Sequence, residues 1–189
     1  WEALSDYAVT LEQGEETFQA YPNRDSVPFT QQYQFQDNWN ISQFVRGTLR
    51  LAGWSKAWQP LFDEIAELTS NGTPEEEIEA RLNVISKELE EQYSYDDGEA
   101  DRVVLSVELE AKSADNTVWK GNYLIDESGN DSGAAMARLV SLPVSIAIEA
   151  IVNNELPKGV SAAPSDPILV KKWLDNLCDL GESIHHHID

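Results

Sequence analysis

The strongest constraint on this chain's fold is a run of alternation past its midpoint. Over residues 102–111, Val103, Leu105, Val107 and Leu109 take one parity, and Ser106, Glu108 and Glu110 take the other. Successive side chains of a strand point to opposite faces, so this pattern makes a half-exposed strand. Ala114-Asp115-Asn116 turns the chain, and residues 117–126 form the partner strand, with Trp119, Tyr123 and Ile125 on one face. Two such runs joined by a short polar turn make an antiparallel hairpin. With helical patterns on both sides, the hairpin points to an α+β fold, a mixed and mostly antiparallel sheet with helices packed on one face.

The flanking segments fill in that scheme. Residues 5–12 alternate weakly as a strand, residues 12–16 turn, and residues 17–21 form a short second strand ended by Pro22. Residues 29–36 fit either a strand or a short helix, and residues 41–51 read as a strand, with Thr48 β-branched. Ser55 is placed to cap a helix carrying Trp58, Leu61, Phe62, Ile65 and Leu68. Its Pro60 is tolerable only near the first turn. Asn71-Gly72 stops that helix. In Thr73-Pro74-Glu75-Glu76, Thr73 is the expected cap, Pro74 the first helical residue and Glu76 the partner in a capping box. Ile78, Leu82, Ile85 and Leu89 follow as a buried stripe. Residues 134–140 begin a helix that Pro143 is expected to interrupt, and residues 144–153 continue it. Asp166-Pro167 opens a last helix through Leu180, with Cys178 expected on its packed side. No internal repeat or interior linker appears, so residues 1–189 read as one domain.

The chain carries 34 acidic and 13 basic residues, a net charge of −21. Such a balance argues against nucleic acid, whose phosphates demand a basic face, and against an anionic membrane surface. No signal-peptide pattern opens it. The longest apolar run, residues 139–152, is broken by Pro143 and Glu149 and reads as too short to span a bilayer. One cysteine makes no internal disulfide, which fits a reducing, cytoplasmic setting. The chain starts at Trp1, already strand-like, and so reads as a piece of a longer protein.

Several chemistries lack their residues. No GxGxxG or Walker loop is present to cradle a dinucleotide or phosphate, and no HExxH or CxxC to hold a metal. There is no GxSxG elbow. His185-His186-His187 reads as a surface strand or tail rather than a metal site.

The unusual segment is residues 21–54. It holds Arg24, Arg46 and Arg50, half of the chain's six arginines, against only Asp25 and Asp37, and it has no lysine. The guanidinium is a planar fork that grips a carboxylate or phosphate through two parallel hydrogen bonds. A cationic island in an anionic chain is either a site for a small anion or a set of structural ion pairs and helix caps.

The two motifs in this segment, Tyr21-Pro22-Asn23-Arg24-Asp25-Ser26 and Arg46-Gly47-Thr48-Leu49-Arg50 with Gly53-Trp54, resemble the saccharopine reductase family, the NADP-dependent, glutamate-forming saccharopine dehydrogenases. The similarity continues through residues 95–98, Asp101, the hairpin, Met136-Ala137-Arg138, Pro143 and the loop at residues 159–164. The resemblance implies an enzyme that interconverts saccharopine with glutamate and α-aminoadipate semialdehyde by hydride transfer with NADP(H), in lysine metabolism. It implies that an N-terminal Rossmann domain outside this chain binds the cofactor, and that this chain binds substrate and builds a homodimer. Arg24, Arg46, Gly47 and Thr48 are then substrate-binding residues. Asn23, Asp25 and Arg50 support them, and no catalytic residue is assigned. Leu51 stands where the family usually has an aromatic residue. Trp54 and Trp58 are expected in the core. Two other readings stay open: a non-catalytic dimerisation or binding module, and a related imine reductase acting on a carboxylated polyamine.

Overall fold

The computed structural model describes residues 4–11, 13–23, 25–113 and 116–188. In chain order the elements are β1 (Leu4–Leu11), β2 (Gly14–Pro22), α1 (Phe29–Gln32), β3 (Gly47–Leu51), α2 (Trp54–Ser70), α3 (Glu75–Tyr93), β4 (Arg102–Ser113), β5 (Asn116–Ser128), α4 (Ala135–Val152), α5 (Pro167–Asp179) and β6 (His185–Ile188). The chain divides into two compact units, residues 1–26 with 43–99, and residues 27–42 with 100–189. Each has one three-stranded antiparallel sheet, in the orders β1-β2-β3 and β4-β5-β6. The α+β class holds, with two small sheets in place of one.

In the first unit Leu11 pairs with Gly14, so β2 begins inside the segment whose composition reads as a turn. Pairing of Val9 with Glu16 and Thr10 with Glu15 draws two glutamates into the ladder against their weak strand preference. Glu12, in the same expected turn, lies outside the described residues. Val9, Leu11, Phe18 and Ala20 are buried, as is Ile85 of α3. Strand β3 is shorter than the sequence implies. Its ladder ends at Pro22–Gly47, where β2 ends in proline, which offers no ladder donor. Residues 41–46 therefore have no regular structure.

Helix α2 starts after Gly53, whose φ of 86° is left-handed and suits a residue without Cβ. Ser55 is not the cap. It lies within the helix, and its backbone N–H donates to Oε1 of Gln19, 2.8 Å away on β2. Pro60 sits in the second turn, and the helix continues past it to Ser70. The capping box before α3 does not form. Pro74 is extended, with ψ 142°, and takes the cap position itself, with no side-chain hydrogen bond there. The start moves on by one residue, and Glu75, Glu76 and Glu77 face the positive end of the helix instead.

In the second unit the hairpin forms as expected, pairing Val107 with Tyr123 and Leu105 with Ile125. β6 adds to β5 as an edge strand, Leu124 against His185. The expected short helix or strand at residues 29–36 is the single turn α1. α4 runs unbroken through Pro143 and reaches 18 residues, so the segment read as too short to span a bilayer is long and apolar enough by length and composition. Among the described residues it is the one such helix. It lies against β4 and α5 and buries Ala135, Arg138, Ile146 and Ala150. α5 is capped by Asp166, whose Oδ1 accepts from the N–H groups of Ile168 and Leu169 at 3.0 and 2.9 Å. Cys178, expected to be packed, is exposed.

Candidate functional site

The geometry of the arginine segment starts from the register of β2 and β3. Pro22 pairs with Gly47, Tyr21 with Thr48, Ala20 with Leu49 and Gln19 with Arg50. Paired residues of an antiparallel ladder share a face, and faces alternate along each strand. Gln19, Tyr21, Thr48 and Arg50 therefore lie on one face. Phe18, Ala20, Leu49 and Leu51 lie on the other, which buries Phe18 and Ala20.

Beyond the last ladder pair, the two motifs still hold each other. The backbone N–H of Asn23 donates to the carbonyl of Arg46 at 2.8 Å. The N–H of Arg46 donates to Oγ of Ser26 at 3.1 Å. Both main-chain groups of Arg46 are thus gripped by the segment at residues 21–26, and Arg46 is half-buried. Asn23 and Arg46 are joined through the backbone, Gly47 pairs with Pro22 and Thr48 with Tyr21, and Arg50 lies further along β3 opposite Gln19. Arg24 lies outside the described residues, between Asn23 and Ser26 in the sequence. Asp25 is exposed.

Gly47 is not demanded by packing. A Cβ there would meet Tyr21 O at 3.4 Å, an ordinary contact, so its effect is to leave the backbone beside Thr48 uncovered. Thr48 is half-buried opposite Tyr21. The Tyr21 ring stacks on Trp54, with centroids 5.1 Å apart, and Trp54 meets Trp58 and Phe62 at 5.9 and 5.8 Å. The guanidinium of Arg50 lies 5.9 Å from the Tyr21 centroid, within cation–π reach. Trp54 is half-buried and Trp58 exposed, so these tryptophans form an aromatic ladder beside the site rather than a closed core.

The other described arginines outside this segment have structural partners. Arg81 forks onto Glu64, Arg102 onto Asp126, and Arg138 onto Glu182 at 2.8 Å. Arg138 is almost fully buried, also reaches Glu127, and donates to the Gly133 carbonyl at 2.8 Å. The Glu182 hydrogen bond, helped by both glutamate charges and opposed by desolvation, raises its already high pKa, so it stays charged. Asp101 accepts from the N–H groups of Ala135 and Met136 at 2.7 and 2.8 Å, which caps α4 and holds its carboxyl below the usual carboxylate range. A Cβ on Gly129 would sit 2.7 Å from Asp101 Oδ1, so this cap requires glycine there. Sequence reasoning missed the cap, because its residues are 34 and 35 positions apart. It also missed Gln19 and Tyr21, whose place on the arginine face follows only from the register.

Among the described residues, no group of three or more histidines, cysteines or carboxylates is placed to hold a metal. A recess of about 320 Å³ in the second unit is lined by Gln34, Leu156, Pro164, Ser165, Asp166 and Leu169, among others. Gln34 Nε2 donates to Ser165 Oγ across it at 2.8 Å. Asp166 is engaged as a helix cap, and Glu155 at the rim pairs with Lys172.

Residues 2–181 match the protein family described as Saccharopine dehydrogenase C-terminal domain. The chain is also 25% identical, over 219 aligned positions, to the NADP(+)-dependent, L-glutamate-forming saccharopine dehydrogenase of Pyricularia oryzae. That alignment covers 80% of this chain and 48% of the relative, so the chain spans about half of the fungal protein's length.

Proposed function

The chain belongs to the saccharopine dehydrogenase C-terminal domain family, and from that premise we propose that it is the substrate-binding part of an oxidoreductase interconverting saccharopine with L-glutamate and α-aminoadipate semialdehyde. The observation that carries this reading is the grip of the segment at residues 21–26 on both main-chain groups of Arg46. It joins the Arg46 motif to Asn23 and Ser26, which flank Arg24 in the sequence. A substrate with three carboxylates needs such forks, and each charged hydrogen bond is worth about 1.5–3 kcal/mol.

In this reading Arg24 and Arg46 hold substrate carboxylates, Thr48 offers a hydroxyl, and Gly47 lets the ligand approach the strand. Asn23 and Asp25 hold the loop. A Rossmann domain elsewhere in the protein would bind NADP(H), which would supply the hydride chemistry of the reaction. This chain's residues bind and orient the substrate. The protein works as a homodimer in the cytoplasm. The dimer is supported by the hairpin face of Leu105, Val107 and Leu109, each about half exposed.

Calorimetric titration of saccharopine into the full-length protein tests the reading. Arg46→Ala is expected to weaken binding by at least tenfold, and unchanged affinity would remove Arg46 from the site. Wild-type protein that ignores saccharopine but reduces an imine formed from another amine donor would transfer the assignment to a related imine reductase.

A further inference from the structure

We propose that Arg50 is a second carboxylate-binding residue, so that β3 takes an extended ligand carrying acids near both ends. This inference rests on the proposed substrate reading and specifies how the strand holds the molecule.

The register, the exposure of Arg50 and its weak tethering support it. Arg50 shares the parity of Thr48, and the ladder places both on the face of Gln19 and Tyr21. Arg46 lies just before the strand, and its carbonyl is tied to the ladder's end by the Asn23 N–H. At about 3.3 Å per residue, Thr48 and Arg50 stand roughly 7 Å apart along β3, with Arg46 two residues before Thr48. Arg50 is exposed in a chain with 34 acidic residues, yet no carboxylate pairs with it among the described residues. Its hydrogen bond from Nη1 to the neighbouring Leu49 carbonyl, at 3.5 Å, is too long to hold it firmly.

Tyr21 is what orients the guanidinium. The ring, itself stacked on Trp54, presents its π-face to the cation and leaves the edge of the fork open. An arginine that served only structure in so acidic a chain would have a carboxylate partner, as Arg81, Arg102 and Arg138 do. The arrangement selects a flexible chain with terminal carboxylates, one for the Arg46 end and one for Arg50, and a polar group between them opposite Thr48.

The test uses the full-length protein and its Arg50→Met variant, a shape-preserving change at an exposed position, with circular dichroism to confirm the fold. Saccharopine and the dicarboxylate series glutarate, adipate, pimelate and suberate are titrated by calorimetry. Arg50→Met is expected to weaken saccharopine binding ten- to a hundredfold and to abolish the dependence of dicarboxylate affinity on chain length. Arg50→Lys is expected to recover only part, because an ammonium cannot fork. Saccharopine binding to Arg50→Met within twofold of wild type overturns the role of Arg50 and leaves the substrate reading standing. Dicarboxylate binding that depends on Arg50, without any binding of saccharopine, overturns the substrate reading and keeps the strand site. Binding of neither ligand by wild-type protein overturns both.

Discussion

Asp101 shows how much one side chain can organise. Its carboxylate satisfies the N–H groups of Ala135 and Met136, which otherwise have no partner in the first turn of α4. Those bonds favour the charged form and lower its pKa, with the nearby Arg138 adding to the effect. A carboxyl whose folded pKa lies below its unfolded value, about 3.9, contributes stability above that value. The contribution is lost as pH falls through the folded pKa. Asp101→Ala is therefore expected to lower the Tm by roughly 2–4 °C at pH 7. The gap between variant and wild type should close as pH falls below about 4. Melting curves taken across that range check this. A gap independent of pH would mean that packing, and not charge, connects Asp101 to the helix.

At the scale of elements, the helix starts differ in a way that can be measured. Thr73-Pro74-Glu75-Glu76 has the composition of a capping box, yet Pro74 takes the cap position with no side-chain cap hydrogen bond. Asp166, ahead of Pro167, does cap α5 through two backbone N–H groups. Urea denaturation is expected to show Asp166→Ala costing about 1 kcal/mol and Thr73→Ala under about 0.5 kcal/mol. Equal losses would mean that Thr73 caps its helix in solution. The distinction lies in one dihedral: an extended Pro74 takes the cap position and leaves Thr73 outside it. The same limit applies to β3. Composition over residues 41–51 is strand-like throughout, but a ladder needs a partner, and β2 stops at Pro22.

At the scale of the molecule, the hairpin's alternation has an unexpected outcome. Val103, Leu105, Val107 and Leu109 share a face as their parity requires, but Leu105, Val107 and Leu109 remain about half exposed. Together with Tyr123 they give the second unit an apolar surface of the kind that assemblies cover. Val107→Glu is expected to shift the proposed dimer to monomer, read as a halved mass in light scattering. An unchanged mass would clear this face of any part in the interface.

What the amino-acid order determined by itself is local. The parity of residues 102–111 made a strand, Asn71-Gly72 ended a helix, Asp166-Pro167 began one, and the two arginine motifs pointed to the family that residues 2–181 match. These signals need only neighbouring residues, so they survive without a fold. Register, partners and exposure belonged to the tertiary structure. Pairing of β2 with β3 decided that Tyr21, Thr48 and Arg50 share a face, and the Asn23 and Ser26 bonds decided that the two motifs meet. Packing decided that Arg138 is buried with Glu182 while Arg50 has no carboxylate partner among the described residues. A side chain's charge is written in the sequence. Whether an internal acid neutralises it depends on segments tens of residues away, whose approach is set by the pairing and packing of the whole unit.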